Sequence, residues 1–346
     1  MSYSKPMLIA LMGMLFMVGC GGPQTPPMRM GSLPYPSPFY ATADPENLGP
    51  HRYGGWSLRE SGRGIIYSEH GGFIDLAHIR ITADWAWYYY QRIHRALERG
   101  DEQLGLAMNK GSRMRLYFEY PEHWDEVADE RRPELIHEIS LGISKDLVWI
   151  LGAWHEIATW YGYSRFVIGS ERISAFTYDD TFSHLVGMRV VGRAIDGPDV
   201  DYNEAMTKSL ELEMRKLGAL SPEQTRAATE RVRGRWWGRG GSKRRYVELS
   251  LNGEPQRPWL APDEPGEPGR LGEAFELPGL GVIDGYDYSD FYRVEIQPRI
   301  LEAGKIRRAA GMDSGSAIDP AVHFEPIMAD IRAELLEEYG PQADRP

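Results

Sequence analysis

Apolar residues recur every three or four positions in several stretches of the chain, and each such stretch predicts a helix with one buried face. The first runs from about Leu76 to Glu98, with Asp75 placed to cap its amino end. A second runs from about Pro133 to Trp160, entered through the proline and left at Gly162. A third is expected from Asp179 or Asp180 to about Gly197. Others are expected at 202–217, at 222–236 behind Ser221-Pro222-Glu223, and at 322–338 ahead of Gly340-Pro341. Alternating patterns are shorter and fit strands at 64–67, 114–118, 245–250 and 292–296. The expected fold class is mainly α: a compact helical domain with short β segments and long loops. The Pro- and Gly-rich sequence from Asn252 to Gly281 reads as a surface excursion from one globular domain spanning 51–346.

The amino terminus departs from this pattern. Residues 1–20, MSYSKPMLIALMGMLFMVGC, hold an apolar stretch from Met7 to Val18. It falls short of the roughly 20 apolar residues of a membrane span and runs into Gly-Gly and proline-rich sequence, so residues 1–19 read as an export signal. The chain contains a single cysteine, Cys20, which excludes an internal disulfide, a CxxC redox pair and a thiolate zinc knuckle. With 39 Lys plus Arg against 50 Asp plus Glu, the formal charge of -11 offers no bias toward nucleic acid, and no nucleic-acid partner is expected.

Met17-Val18-Gly19-Cys20 resembles the lipobox of bacterial lipoproteins, with Met17 where leucine is usual. The resemblance implies a diacylglycerol on the Cys20 thiol, cleavage before it and acylation of the new amino group. The lack of aspartate after Cys20 is similar to the outer-membrane sorting pattern. Residues 20–50 then form a lipidated terminus and flexible tether, and the expected place is the bacterial cell envelope, anchored through Cys20 in the outer membrane.

Three polar clusters carry the candidate chemistry. The first contains His70, Gly71-Gly72, Asp75, His78, Arg80 and Asp84. On a helix, His78 and Thr82 share one side while Arg80 and Asp84 point away, four apart and able to pair. The two glycines could let backbone approach a ligand or simply form a turn. The second cluster, Trp154-His155-Glu156, follows the apolar run 147–154. It has the first two letters of the HExxH zinc motif, but Thr159 stands where the second histidine belongs. In the third, Asp180 and His184 share a helix face, and Asp179 serves as cap or contact. His78, His155 and His184 together would supply three ligands to zinc, with Glu156, Asp75 or Asp180 as proton-handling carboxylates and His70, Arg80 and Asp179 near substrate. The structural alternative places each histidine in its own core hydrogen bond, with Arg80 and Asp84 as an ordinary ion pair.

The lipobox together with HGGFIDLAHIR, AWHEIATWYGY and SAFTYDDTFSHLVG resembles a family of bacterial lipoproteins with a domain of unknown function, over roughly residues 50–330. It implies an envelope location and no particular reaction. Seven basic residues between Arg231 and Arg245, interleaved with Trp236-Trp237, suggest contact with an envelope lipid or cell-wall polymer, or else a solvated basic surface over packed tryptophans. Two function classes stand: a metal-dependent hydrolase with a histidine/carboxylate site, and a non-catalytic scaffold or binding lipoprotein.

Overall fold

The computed structural model describes residues 25–26, 29, 40–53, 63–163, 171–197, 201–238, 241–251 and 253–346. Cys20 and the residues expected to form the signal and lipobox lie outside the described residues. A hairpin of β1 (Ile65–Ser68) and β2 (Gly72–Asp75) leads directly into helix α1 (Leu76–Glu98). Asp75 ends the strand and caps the helix, its carboxylate accepting from the Ala77 amide at 3.0 Å. Strands β3 (Gln103–Ala107) and β4 (Arg113–Phe118) precede the long helix α2 (Arg132–Trp160), which has a proline in its first turn. Helices α3 (Asp180–Asp196), α4 (Tyr202–Lys216) and α5 (Pro222–Arg231) follow. Ser221 and Gln224 close a capping box at the start of α5.

The carboxy-terminal part opens with three minimal strand pairs. These are β5 (Trp237–Gly238) with β6 (Gly241–Ser242), β7 (Trp259–Leu260) with β8 (Arg270–Leu271), and β9 (Val282–Ile283) with β10 (Tyr286–Asp287). Strand β11 (Tyr292–Gln297) and helices α6 (Ala303–Ala309) and α7 (Pro320–Tyr339) complete the fold. In the antiparallel sheet β11-β4-β3, Leu116 lies opposite Val294 and Leu104, so one face is apolar while Arg113 and Arg115 point outward. The centre is the packing of α1 against α2 and α3, with α4 on α3. Trp154 and Ile157 of α2, Ile79 and Tyr89 of α1 and Leu185 of α3 are all buried in one core. A second core gathers Tyr67, Phe73, Tyr178, Trp236, Trp237 and Trp259 around the hairpin and α5.

The fold is mainly α, as the periodicity predicts. Two local expectations are corrected. Helix α5 ends at Arg231 rather than 236, because the chain tightens after Val232 and Gly234 takes a left-handed φ of 78°. Residues 245–250 form no strand: the Tyr246 amide donates to the Phe176 carbonyl at 2.7 Å and Val247 to Arg245, so their polar groups go to loop carbonyls.

The proline-rich segment expected as a tether is attached to the body over its described part. Ala43 and Ile65 exchange backbone bonds with the facing chain, Leu48 and His51 are buried, and Arg29 reaches α1. Among the described residues no helix is long and apolar enough to cross a membrane.

Candidate metal centre

Local folding places three side chains able to ligate a metal at element starts. Asp75 caps α1, His78 lies in its first turn, and Asp180 opens α3. Ser183 joins these ends: its hydroxyl accepts from the Asp75 amide at 2.9 Å and donates to the Asp179 carbonyl. The result is a convergence on one nitrogen. His78 Nδ1 lies 2.8 Å from Asp75 Oδ2 and 3.1 Å from Asp180 Oδ1. An imidazole nitrogen that bears its proton donates to a carboxylate oxygen, and Nδ1 stands within reach of both. Asp180 Oδ2 also accepts from the Thr177 hydroxyl at 2.6 Å. The ligand atoms of Asp75, His78 and Asp180 all lie within 4.8 Å of one another, a group able to hold a metal ion.

The electrostatics show a buried site short of positive charge. Burial opposes the charge on His78, but Asp180, Asp75 and Glu156 more than reverse this and push its pKa up to about 10. Burial, reinforced by Asp75, raises Asp179 to about 7. Asp180 is raised well above the carboxylate range by burial, against the pull of His78. Neither carboxylate oxygen of Asp179 makes a well-formed hydrogen bond, and the side chain does not cap α3. One imidazolium thus serves several buried acids, which is the setting a divalent cation relieves.

The other two histidines flank this group. The His155 ring centroid is 6.5 Å from that of His78, and its Nε2 is 3.9 Å from Glu156 Oε1. Asn109, on the turn between β3 and β4, places its amide nitrogen 3.5 Å from His155 Nδ1. Glu156 is buried and its Oε2 accepts from the Phe176 amide at 2.5 Å. The His184 ring stands 5.3 Å from His78, edge to face, with Nδ1 hydrogen-bonded to Thr82 Oγ1 at 2.8 Å. Burial pulls its pKa down to about 3, so it is neutral at ordinary pH. His184 packs against Gly152, where a β-carbon would come within 3.1 Å of the ring. The crevice there, lined by Trp149, Gly152, Glu156 and His184, is too narrow for water. Solvent instead reaches the centre past His155, whose side chain is 30% exposed, and His78, 13% exposed. Among the described residues the compact group of possible ligands is one histidine with two aspartates, Asp75, His78 and Asp180.

Several expected site residues lie elsewhere. Arg80 donates to the carbonyls of Leu48, Gly49 and Pro50, at 2.7 to 3.1 Å. Asp84 is held by Arg29 Nε at 2.8 Å and His51 Nε2 at 2.9 Å instead of by Arg80. The opposite face of α1 is thus a fastening for the amino-terminal segment, and Arg80 is part of it. His70 sits exposed in the β1–β2 turn, its amide bonded to the Leu217 carbonyl. Gly72 meets protein, not ligand: φ is 64°, and a β-carbon would lie 2.1 Å from the Trp259 carbonyl oxygen. Of the described residues of the basic run, Arg245 is buried while Arg233 and Lys243 are exposed, so most of the run is a solvated surface over packed tryptophans. Arg235 donates to Gly266 and Glu267 carbonyls, Lys243 to Gly234, Arg244 to Arg345 and Arg245 to Ile173 and Ala175, while Trp236 and Trp237 are buried. Arg239 lies outside the described residues.

Sequence reasoning missed Thr177, Ser183, Thr82 and Asn109, ordinary polar residues whose importance comes from what faces them. No curated protein and no solved structure matches the chain. A family model described as a protein of unknown function, DUF4056, matches residues 28–247, which includes every residue of the centre. The match spans more than half of the chain, and the protein belongs to this family of unknown function.

Proposed function

We propose that this is a lipid-anchored protein of the bacterial envelope whose Asp75, His78 and Asp180 side chains bind a divalent cation used for hydrolysis. The observation that carries the metal reading is the meeting of two buried carboxylates on one imidazole nitrogen, beside the further buried acids Asp179 and Glu156. Two oxygen donors and one nitrogen donor suit zinc or manganese. A cation held there would supply Lewis acidity to a hydrolytic reaction. Glu156, fixed by the Phe176 amide, accepts the proton, and His155, partly exposed and next to it, passes that proton to solvent or leaving group. The envelope location rests on the sequence alone, on the apolar leader and the placement of Cys20.

Tag-free, metal-stripped protein titrated with zinc or manganese should bind one equivalent. His78→Ala and Asp180→Asn should abolish binding, and a wild-type protein that stays metal-free after reconstitution rejects the reading. Mass spectrometry of the membrane-extracted protein should find residues 1–19 gone and Cys20 acylated. An intact, unmodified amino terminus rejects the anchor.

A further inference from the structure

Arg245 is a cation of the basic run that the proposed chemistry does not use, and it is 1% exposed. Its Nη1 donates to the carbonyls of Ile173 and Ala175, each at 2.7 Å. The next residue, Tyr246, donates its amide to the Phe176 carbonyl at 2.7 Å. Two consecutive residues thus grip three carbonyls of one turn. The gripped turn is strained: Phe176 has a φ of 55°, a left-handed conformation that a β-carbon disfavours and that persists only where the surroundings impose it. It is also the turn that touches the centre. The Phe176 amide fixes Glu156 Oε2 at 2.5 Å, and Thr177, one residue on, fixes Asp180 Oδ2 at 2.6 Å.

We propose that Arg245 is a positioning residue of the metal centre, acting through the left-handed Phe176 turn to hold Asp180 and Glu156 in place. The inference rests on the metal reading above and deepens it. A planar guanidinium suits the role because the two N–H bonds of Nη1, one to each carbonyl, are fixed in its plane, whereas an ammonium rotates on a flexible stem. The path from Arg245 to the ligand is short, two hydrogen bonds joined by the backbone of the turn: guanidinium, Ala175 carbonyl, the turn, Thr177 hydroxyl, Asp180 carboxylate. Residues that orient a ligand in this way typically change metal affinity 10- to 100-fold when altered.

The test is calorimetric titration of the full, metal-stripped chain with manganese alone, beside thermal unfolding of the same samples. Arg245→Lys should bind manganese about 10- to 100-fold more weakly while still unfolding cooperatively. Thr177→Val should lose affinity similarly, and Thr177→Ser, which keeps the hydroxyl, should restore it. The double variant Arg245→Lys/Thr177→Val should be no weaker than the weaker single variant, because both act through one path. If the lysine variant does not fold, Arg245→Gln, whose shorter side chain stops where the arginine Nε stands and falls short of both carbonyls, should show a comparable loss. Wild-type affinity in whichever Arg245 variant folds, or fully additive losses in the double variant, overturns the positioning role while leaving the metal reading intact. A wild-type chain that binds no manganese or zinc overturns both.

Discussion

Asp146 shows how a single buried acid ties stability to pH. Its Oδ2 accepts from the Leu280 amide at 3.1 Å and the Tyr292 hydroxyl at 3.0 Å, pinning the β9–β10 region to α2. Burial nevertheless pushes its pKa up to about 7, against those hydrogen bonds. The folded-state value exceeds the unfolded one, so between about pH 4 and 7 the folded protein holds more protons and its stability falls as pH rises. Asp146→Asn keeps an acceptor and removes the titration. It should raise the unfolding free energy read from urea titration more at pH 8 than at pH 5, by on the order of 1–3 kcal/mol in the difference; equal changes at both pH values count against this account. At this scale the sequence shows which residues are polar beside apolar runs, and so Asp75, His78, Glu156 and Asp180 stand out. Thr177, Ser183 and Arg245 do not, because a hydroxyl or guanidinium acquires its role from the carboxylate or carbonyl it meets in space.

Asp75 is where element and site coincide. One oxygen caps α1 through the Ala77 amide and the other meets His78, so helix start and ligand cluster share a side chain. The two functions separate by substitution. Asp75→Asn retains a capping oxygen and should leave the start of α1 intact while weakening metal binding at least tenfold. Asp75→Ala should also lose the cap, costing about 1 kcal/mol more in chemical unfolding. Equal stability of the two variants would show that the cap contributes nothing.

Helix positions were the most legible elements because periodicity and caps are local: Asp75-Leu76, Arg132-Pro133 and Ser221-Pro222 mark starts that the structure retains. The segment 245–250 misled because its apparent alternation serves loop contacts, with Arg245 and Tyr246 buried against the 173–176 turn. Helix α6 was missed because seven residues containing Gly304 carry too little pattern.

Across the whole molecule, α1 works on two faces. One carries His78 toward α3, and the other carries Arg80 and Asp84 under the amino-terminal segment. Asp84, fully buried, holds Arg29 and His51, so Asp84→Ala leaves a buried cation without its carboxylate. It should cost about 3 kcal/mol or more in urea unfolding, with cation stoichiometry unchanged. Loss of metal binding in a folded Asp84→Ala protein would show instead that the two faces are coupled. With Cys20 acylated as proposed, Arg29 is nine residues along, so this fastening keeps its point of attachment within about 30 Å of the lipid.

The sequence by itself determined where most of the helices begin, that a single cysteine forms no internal disulfide, and which three segments concentrate histidine and carboxylate. Only the tertiary structure decided the partners: that Asp75 and Asp180 meet on one nitrogen of His78, that Arg80 turns from the site, and that Arg245 points into the protein. The physical reason is range. Periodicity and capping act within a few residues, whereas Asp84 finds Arg29 55 positions away and Asp75 meets Ser183 across 108, distances closed only by packing α1 against α3 and the amino-terminal segment.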